Sequence, residues 1–369
     1  MKITLNRLEF MADWSRAAMV APSRSQRPEL CNVKVDATES CVKLIATSLE
    51  TSVTLEVDGI EVDEPGSVLL PLEKFGSILR EFTSVLLTVE TKGDKVTVTG
   101  GQAKIVLQTL PVDEFPEVPM FDDTTSVEIA PELFRAIVRR TVIATDGDNS
   151  RYALGGIRLE TDGRILYGAA TDGRRIAKMS GPAEMIDGYE PTADMIIVPA
   201  QSMQEAARVF SDLDENETLM ILPRPNDILF NANGRTFHAR LLEGRFPDWR
   251  AALKDAGDQV KIKAIVGPLY SAIRQSAIVA DASTHRLTMA FSENTMRLST
   301  AMDEVGGASV KMPITYSREG VSISIDYTFA ADILKALPPE MEITIAIEKG
   351  SITLSTEDGL EYKMMGLEV

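Results

Sequence analysis

The feature that most constrains this chain is that it repeats itself. Leu110-Pro111-Val112-Asp113-Glu114-Phe115-Pro116 is similar to Leu241-Leu242-Glu243-Gly244-Arg245-Phe246-Pro247, with the two Phe-Pro pairs 131 residues apart. Ala46-Thr47-Ser48-Leu49-Glu50 is similar to Ala170-Thr171-Asp172-Gly173-Arg174 at a spacing of 124, and Val68-Leu69-Leu70-Pro71 to Ile196-Ile197-Val198-Pro199 at 128. Three spacings this close, in one order, indicate a duplicated unit. A chain of 369 residues has room for a third copy, more diverged, whose helical pattern at 268–280 falls where the period requires it. The chain is therefore expected to fold as three similar domains, 1–124, 125–255 and 256–369, with polar linkers at 121–125 and 254–258.

Each unit carries two amphipathic helical stripes. Phe10, Trp14, Ala17 and Ala21 form one in the first unit, and Leu72, Phe75, Ile78, Leu79 and Phe82 the other. Leu133, Phe134, Ile137 and Val138, then Met203, Ala206, Ala207 and Phe210, serve the second. Leu269, Ile273 and Ala277, then Phe329, Ile333, Leu334 and Leu337, serve the third. Between them run short segments of period-two alternation, such as 53–57, 95–99, 322–325 and 343–347, separated by Asp-Gly turns at 58–59, 162–163 and 358–359. This pattern describes an α+β class in which antiparallel sheets carry helices on one face.

Charge separates along the same lines. The chain has a net charge of -17, which argues against a phosphate-gripping surface. The six helical windows 7–21, 71–82, 131–145, 199–210, 268–280 and 327–337 nevertheless sum to +3, leaving -20 for everything else. Arg135, Arg139 and Arg140 share one window and are expected to clear its apolar stripe. Either they solvate a free face, or the helices line a surface turned towards phosphates while acidic sheets face outward. An acidic protein can hold DNA by enclosure, and weak, sequence-independent contacts permit sliding.

Chemistry-bearing motifs are scarce. The two histidines, His238 and His285, have no cysteine near them in sequence, and Cys31 and Cys41 are too few for a cysteine zinc site. Neither of the glycine-rich strings that cradle phosphates occurs. No metal and no cofactor is expected. Carboxylates are plentiful, so a carboxylate-pair hydrolase remains a rival reading, but nothing singles out a pair. Two cysteines fit a reducing cytoplasm, and no apolar run reaches the length of a spanning helix.

Three strings point to a family: Arg151-Tyr152-Ala153-Leu154-Gly155-Gly156, Ala170-Thr171-Asp172-Gly173-Arg174-Arg175-Ile176-Ala177 and Glu243-Gly244-Arg245-Phe246-Pro247-Asp248-Trp249. With the threefold repeat and the C-terminal Tyr362-Lys363-Met364-Met365-Gly366-Leu367, they resemble the landmarks of the bacterial DNA sliding clamp, the beta subunit of the DNA polymerase III holoenzyme. The resemblance covers essentially the whole chain. It implies the DNA-clamp (processivity) fold: three similar domains, each with antiparallel sheet outside and two helices inside, in a head-to-tail homodimer ring. Such a ring is not an enzyme. It encircles double-stranded DNA without reading sequence and tethers DNA polymerases, the clamp loader and repair proteins through their short peptide motifs. It would work in the cytoplasm, at the nucleoid. A clamp-fold scaffold that does not bind DNA is the alternative, kept open by the small charge of +3.

The resemblance also implies residues. A client-peptide cleft would take in Leu154, Thr171, Gly173, Arg174, Arg175, Ile176, Pro247, Ala252, Ser351, Met365 and Leu367. DNA contact falls to Arg27, Asn149 and Tyr152, joined by Arg135, Arg139 and Arg140 from the charge pattern. At the subunit interface Ile105 and Leu107 would meet Ile278 and Val279 of the other subunit. The chain departs from the family at Gly366 and Glu368, where proline and arginine are common, and at Ala251 and Gln201, where the family carries basic residues.

Overall fold

The computed structural model describes residues 1–121, 125–147, 153–186, 196–254, 259–302, 306–348 and 350–367. Its element order is one pattern written three times, with one more strand between the helices in the first two copies than in the third. The first copy runs β1 (Lys2–Asn6), α1 (Arg7–Ala18), β2 (Asn32–Ala37), β3 (Val42–Thr47), β4 (Thr51–Val57), β5 (Glu61–Glu64), β6 (Gly66–Pro71), α2 (Leu72–Glu81), β7 (Leu86–Lys92), β8 (Lys95–Gly100) and β9 (Ala103–Gln108). The second runs β10 (Ser126–Ile129), α3 (Pro131–Thr141), β11 (Gly156–Thr161), β12 (Ile165–Thr171), β13 (Arg175–Pro182), β14 (Glu184–Ile186), β15 (Ile196–Pro199), α4 (Ala200–Val209), β16 (Leu219–Pro223), β17 (Asp227–Ala232) and β18 (Arg235–Arg240), followed by a short helix α5 (Trp249–Leu253). The third runs β19 (Val260–Ile265), α6 (Val266–Ser276), β20 (Arg286–Ser292), β21 (Thr295–Met302), β22 (Gly306–Pro313), β23 (Val321–Asp326), α7 (Tyr327–Ala336), β24 (Glu342–Glu348), β25 (Ser351–Ser355) and β26 (Glu361–Met365).

In every copy the first strand shares a sheet with the last three, and the other strands form a second group, except β5 and β14, which flank β1 and β10. These groups do not stay separate. The strand orders are β5-β1-β7-β8-β9, β14-β10-β16-β17-β18-β4-β3-β2-β6, β15-β11-β12-β13-β26-β25-β24-β19 and β22-β21-β20-β23. The long sheets arise where β18 of the second copy pairs with β4 of the first, and β26 of the third with β13 of the second. Backbone hydrogen bonds thus run through both repeat junctions. Two edge strands, β9 and β22, occupy the positions equivalent to β18 or β26 and to β4 or β13, and neither has such a partner among the described residues.

By contact density the chain forms two compact units: 1–131 with 185–189 and 201–241, and 132–184 with 190–200 and 242–369. Each unit holds one long sheet, so the middle repeat contributes to both. The expected division into three domains rests on the repeat, whereas compactness follows the fused sheets.

Local physics sets the helix ends. Asn6 and Asp326 cap α1 and α7 by accepting from the Leu8 and Thr328 amides. Phe10, Trp14 and Phe75 pack together, with Trp14 and Phe75 ring centroids 4.7 Å apart. The expected window 131–145 ends as α-helix at Thr141, where β-branched Thr141-Val142-Ile143 gives way to a 3-10 turn over Val142–Ala144. The expected helix at 268–280 starts earlier, at Val266, and also ends in a 3-10 turn, Ala277–Val279. Among the described residues helix α5 has no counterpart in the other two copies. Asp248 caps it, accepting from the Ala251 amide at 3.1 Å.

Helix α3 needs small residues beneath it. A Cβ at Gly168 would stand 2.4 Å from Ile137 Cγ2, and one at Gly181 would stand 2.6 Å from Leu133 Cδ1. These two glycines let the helix settle directly onto β12 and β13.

Candidate functional site

The candidate cleft is built on β12 and β13. Thr171 lies opposite Ile176 and Ala169 opposite Lys178. Side chains alternate across a strand, so Tyr167, Ala169, Thr171 and Ile176 share one face, while Gly168, Ala170, Arg175 and Ala177 share the other. The second face takes α3. On the first, Ala153, Ala169, Ile176, Ile197, Phe246 and Trp249 form an apolar cluster, with Tyr167, Leu242 and Leu253 packed against it. Trp249 docks α5 onto this face, its ring centroid 5.8 Å from that of Tyr167. Arg250 lies over Trp249 at 4.2 Å and over Tyr167 at 5.5 Å, and also pairs with Glu160.

The turn joining β12 to β13 is tightly wired. The Asp172 carboxylate accepts from the Arg174 and Arg175 amides, each at 2.9 Å, and Thr171 Oγ1 donates to the Arg175 carbonyl at 2.7 Å. Gly173 sits at the tip with φ 87°, open space where a Cβ would be, and its amide donates to Thr171 Oγ1 at 3.1 Å. The C-terminal strand joins this turn, since the Met365 amide donates to the Arg174 carbonyl at 2.9 Å. Ser351 is the cross-strand partner of Met365. Beyond β26, the Gly366 amide donates to the Gly350 carbonyl and the Leu367 amide to the Ser324 carbonyl. The last described residues are therefore strand and anchored chain.

The structure brings together most residues implied by the resemblance, and sorts them. Leu154, Thr171, Ile176 and Ser351 are buried, so they stiffen the cleft as much as line it. Gly173, Arg174, Ala252 and Met365 are exposed, Met365 by 53%, and Pro247 and Leu367 are half-buried. Arg175 is set apart. The pleat sends it to the face opposite Ile176, where Asp332, Tyr362 and Phe329 take up its guanidinium. Of the apolar cluster only Ile176 was an expected cleft residue, and the three residues packed against that cluster, Tyr167, Leu242 and Leu253, were not expected either. Period-two spacing from Thr171 points to Tyr167, but nothing in the sequence points to the other two.

The arginines divide as well. Arg135 and Arg139, four residues apart, lie on one side of α3; Arg135 is half-buried and pairs with Glu132, and Arg139 is exposed. The expectation that Arg140 also clears the stripe is corrected. One further residue turns the helix by about 100°, and Arg140 is buried, donating to Asp358 at 2.8 Å and contacting Met179 Sδ at 3.6 Å. Arg27 is exposed, with its Nε donating to Glu29 at 2.6 Å. Asn149 and Tyr152 lie outside the described residues. Gln201 donates to Glu205 at 2.9 Å. At the proposed interface, Ile105 is 37% exposed and Ile278 80%, while Leu107 and Val279 are half-buried.

Among the described residues, no group of three or more His, Cys, Asp or Glu side chains could hold a metal ion. Among the same residues, no helix is long and apolar enough to cross a membrane.

A threefold motif of strand, helix, four or five strands, helix and three strands, its sheets fused edge to edge through β18–β4 and β26–β13, defines the class of protein as a DNA-clamp fold. The family profile for the DNA polymerase III beta subunit N-terminal domain matches residues 1–119, and that for the central domain matches residues 128–248. The chain belongs to the DNA polymerase III beta subunit family. It is 25% identical to the beta sliding clamp of Escherichia coli K12 and 26% identical to that of Pseudomonas aeruginosa, each over the full length of both chains. Among solved structures, the P. aeruginosa sliding clamp bound to griselimycin has a TM-score of 0.91 at 24% identity, covering 100% of both chains. The Bacillus subtilis sliding clamp has a TM-score of 0.91 at 20% identity, covering 100% of this chain and 99% of that one.

Proposed function

We propose that this protein is a non-catalytic processivity clamp: two copies close head to tail into a ring that encircles duplex DNA, slides along it and tethers polymerases, the clamp loader and repair proteins through the β12–β13 cleft. One observation carries the reading. Two of three equivalent repeat edges are joined by strand pairing inside the chain, and the third pair, β9 and β22, is left over. Every residue of β9 except Leu107 is exposed, with Val106 at 53%. An exposed apolar edge strand is a template for pairing. Joining β22 of one copy to β9 of the next repeats the internal junction, and a heterologous contact of this kind generates a closed ring when its rotation permits. Each subunit would then contribute three domains, 1–124, 125–255 and 256–369.

On this reading Arg135, Arg139 and Arg27, with Asn149 and Tyr152, contact phosphate and sugar. These contacts position the duplex without reading its bases. The surroundings of the cleft suit a short peptide, for they combine an aromatic and aliphatic floor with a few fixed polar groups. The protein would act in the cytoplasm, at the nucleoid, without a cofactor.

Retention on DNA tests enclosure. After loading onto nicked circular DNA, the protein should stay bound through a gel-filtration column in moderate salt and leave once the circle is linearised. Release from circular and linear DNA alike would favour a clamp-fold scaffold that does not bind DNA.

A further inference from the structure

Arg175 belongs to the turn that frames the cleft, yet its side chain is spent on the far side of the sheet. Its Nε donates to Asp172 at 2.9 Å, and its Nη1 donates to Asp332 at 2.7 Å and to the Tyr362 hydroxyl at 3.3 Å. Its guanidinium carbon stands 4.2 Å over the Phe329 ring. Tyr362 is fully buried and donates its own hydroxyl hydrogen to the Phe329 carbonyl at 3.0 Å. Only 11% of the Arg175 side chain is exposed, against 46% for Asp332. Asp332 and Phe329 lie on α7, a helix of the third repeat, whereas Thr171 to Arg175 belong to the second. Through Asp172, the same guanidinium grips the carboxylate that receives the Arg174 and Arg175 amides.

We propose that Arg175 is a strut and not a peptide ligand: with Asp332 and Tyr362 as positioning residues, it fixes the Thr171–Arg175 turn to helix α7, so that the state of α7 sets the affinity of the cleft. This rests on the reading of that cleft as the peptide site. A buried cation held by one carboxylate on each side has a single low-energy arrangement. Releasing one side frees the turn that presents Gly173 and the Arg174 carbonyl, and with it the Met365 amide bonded there. Coupling between two such places is reciprocal, so peptide in the cleft should in turn restrain α7.

The test uses the full-length protein and a fluorescein-labelled pentapeptide containing one glutamine and two leucines, read by fluorescence polarisation. Asp332→Asn keeps the shape and removes the charge, and Tyr362→Phe removes only the hydroxyl. Each should weaken peptide binding by about tenfold or less and leave the dimer intact, and Asp332→Glu should restore part of the loss. Hydrogen exchange at the Gly173 and Arg174 amides should quicken in Asp332→Asn, and bound peptide should slow exchange in α7 of the wild type. In a double-mutant cycle, Arg175→Lys and Asp332→Asn should be non-additive. If Arg175→Lys weakens binding while Asp332→Asn and Tyr362→Phe leave affinity and turn exchange unchanged, Arg175 touches the peptide directly and the strut is wrong. Should Asp332→Asn fail to fold, Tyr362→Phe and Asp332→Glu decide by the same readouts. Failure of the cleft reading is a separate outcome, seen when Met365→Ala and Ile176→Ala also leave binding unchanged.

Discussion

Arg140 on α3 donates to Asp358 at 2.8 Å and so ties the helix of one repeat to the turn before β26 of the next. The pair is lopsided: the Arg140 side chain is 7% exposed and that of Asp358 is 44% exposed. Next to it, Gly359 (φ 104°) lets the junction close, for a Cβ there would fall 2.1 Å from the Ser180 carbonyl oxygen. Burial disfavours the Asp358 carboxylate, but hydrogen bonds from Arg140 and Thr356 outweigh it and hold its pKa below the ordinary value.

This lopsidedness gives unequal mutants. Asp358→Ala strands a buried guanidinium and should cost about 3 kcal/mol. Arg140→Met removes the cation, fills similar space and leaves Asp358 to water, so it should cost about 1 kcal/mol or less. Urea titrations of the two variants compare them directly. Equal losses would mean that packing, and not the stranded charge, dominates the site.

His238 on β18 lies opposite Ser52 of β4, within the other junction, with Nε2 3.3 Å from Asp227 Oδ2. Burial lowers its pKa; Asp227 pulls the other way and Arg224 and Arg240 add to the lowering. A histidine with a depressed folded pKa binds its proton more readily when unfolded. Its contribution to stability is complete above the unfolded value of about 6.5 and is lost as pH falls through the folded one. The wild type should therefore lose stability between pH 7.5 and pH 5.5, and His238→Gln should lose less over the same interval. Chemical denaturation at the two pH values measures both slopes.

Ile278 projects from the turn after α6 with four-fifths of its surface exposed. If it packs against β9 of a second copy, Ile278→Asp buries an unpaired charge at the contact, a cost of several kcal/mol. Sedimentation velocity at low concentration should show dimers for the wild type, near twice 40.3 kDa, and monomers for the mutant. An intact mutant dimer would place the interface elsewhere.

Two cleft positions separate binding from folding. Met365 is exposed, so Met365→Ala should change stability by about 0.5 kcal/mol or less while weakening peptide binding by about 1–2 kcal/mol. Ile176 is 6% exposed and belongs to the apolar cluster. Ile176→Ala should lower both stability, by about 2–4 kcal/mol, and affinity. Thermal unfolding beside peptide titration distinguishes the two patterns.

Period and repetition are local properties, and they were legible without coordinates. The stripes at Phe75, Ile78 and Leu79, or at Ile333 and Leu334, specify helices because 3.6-residue spacing leaves one side apolar. Asp58-Gly59, Asp162-Gly163 and Asp358-Gly359 specify turns because glycine accepts the positive φ found there, 71°, 98° and 104°. The duplication follows from matching strings 124 to 131 residues apart, and the third copy from the length that remains and the helical pattern at 268–280. Which edges join does not follow, since β4, β13, β9 and β22 all read as alternating or apolar strands. Only long-range hydrogen bonding pairs β18 with β4 and β26 with β13 and leaves the other two unmatched. Orientation across a strand or around a helix behaves the same way. Arg175 and Ile176 are neighbours in one family string, and Arg139 and Arg140 are neighbours in one basic run. The pleat and the helical turn send each pair apart, and the partners that receive the buried member, Asp332 and Tyr362 for Arg175 and Asp358 for Arg140, come from residues 157 to 218 positions further along the chain.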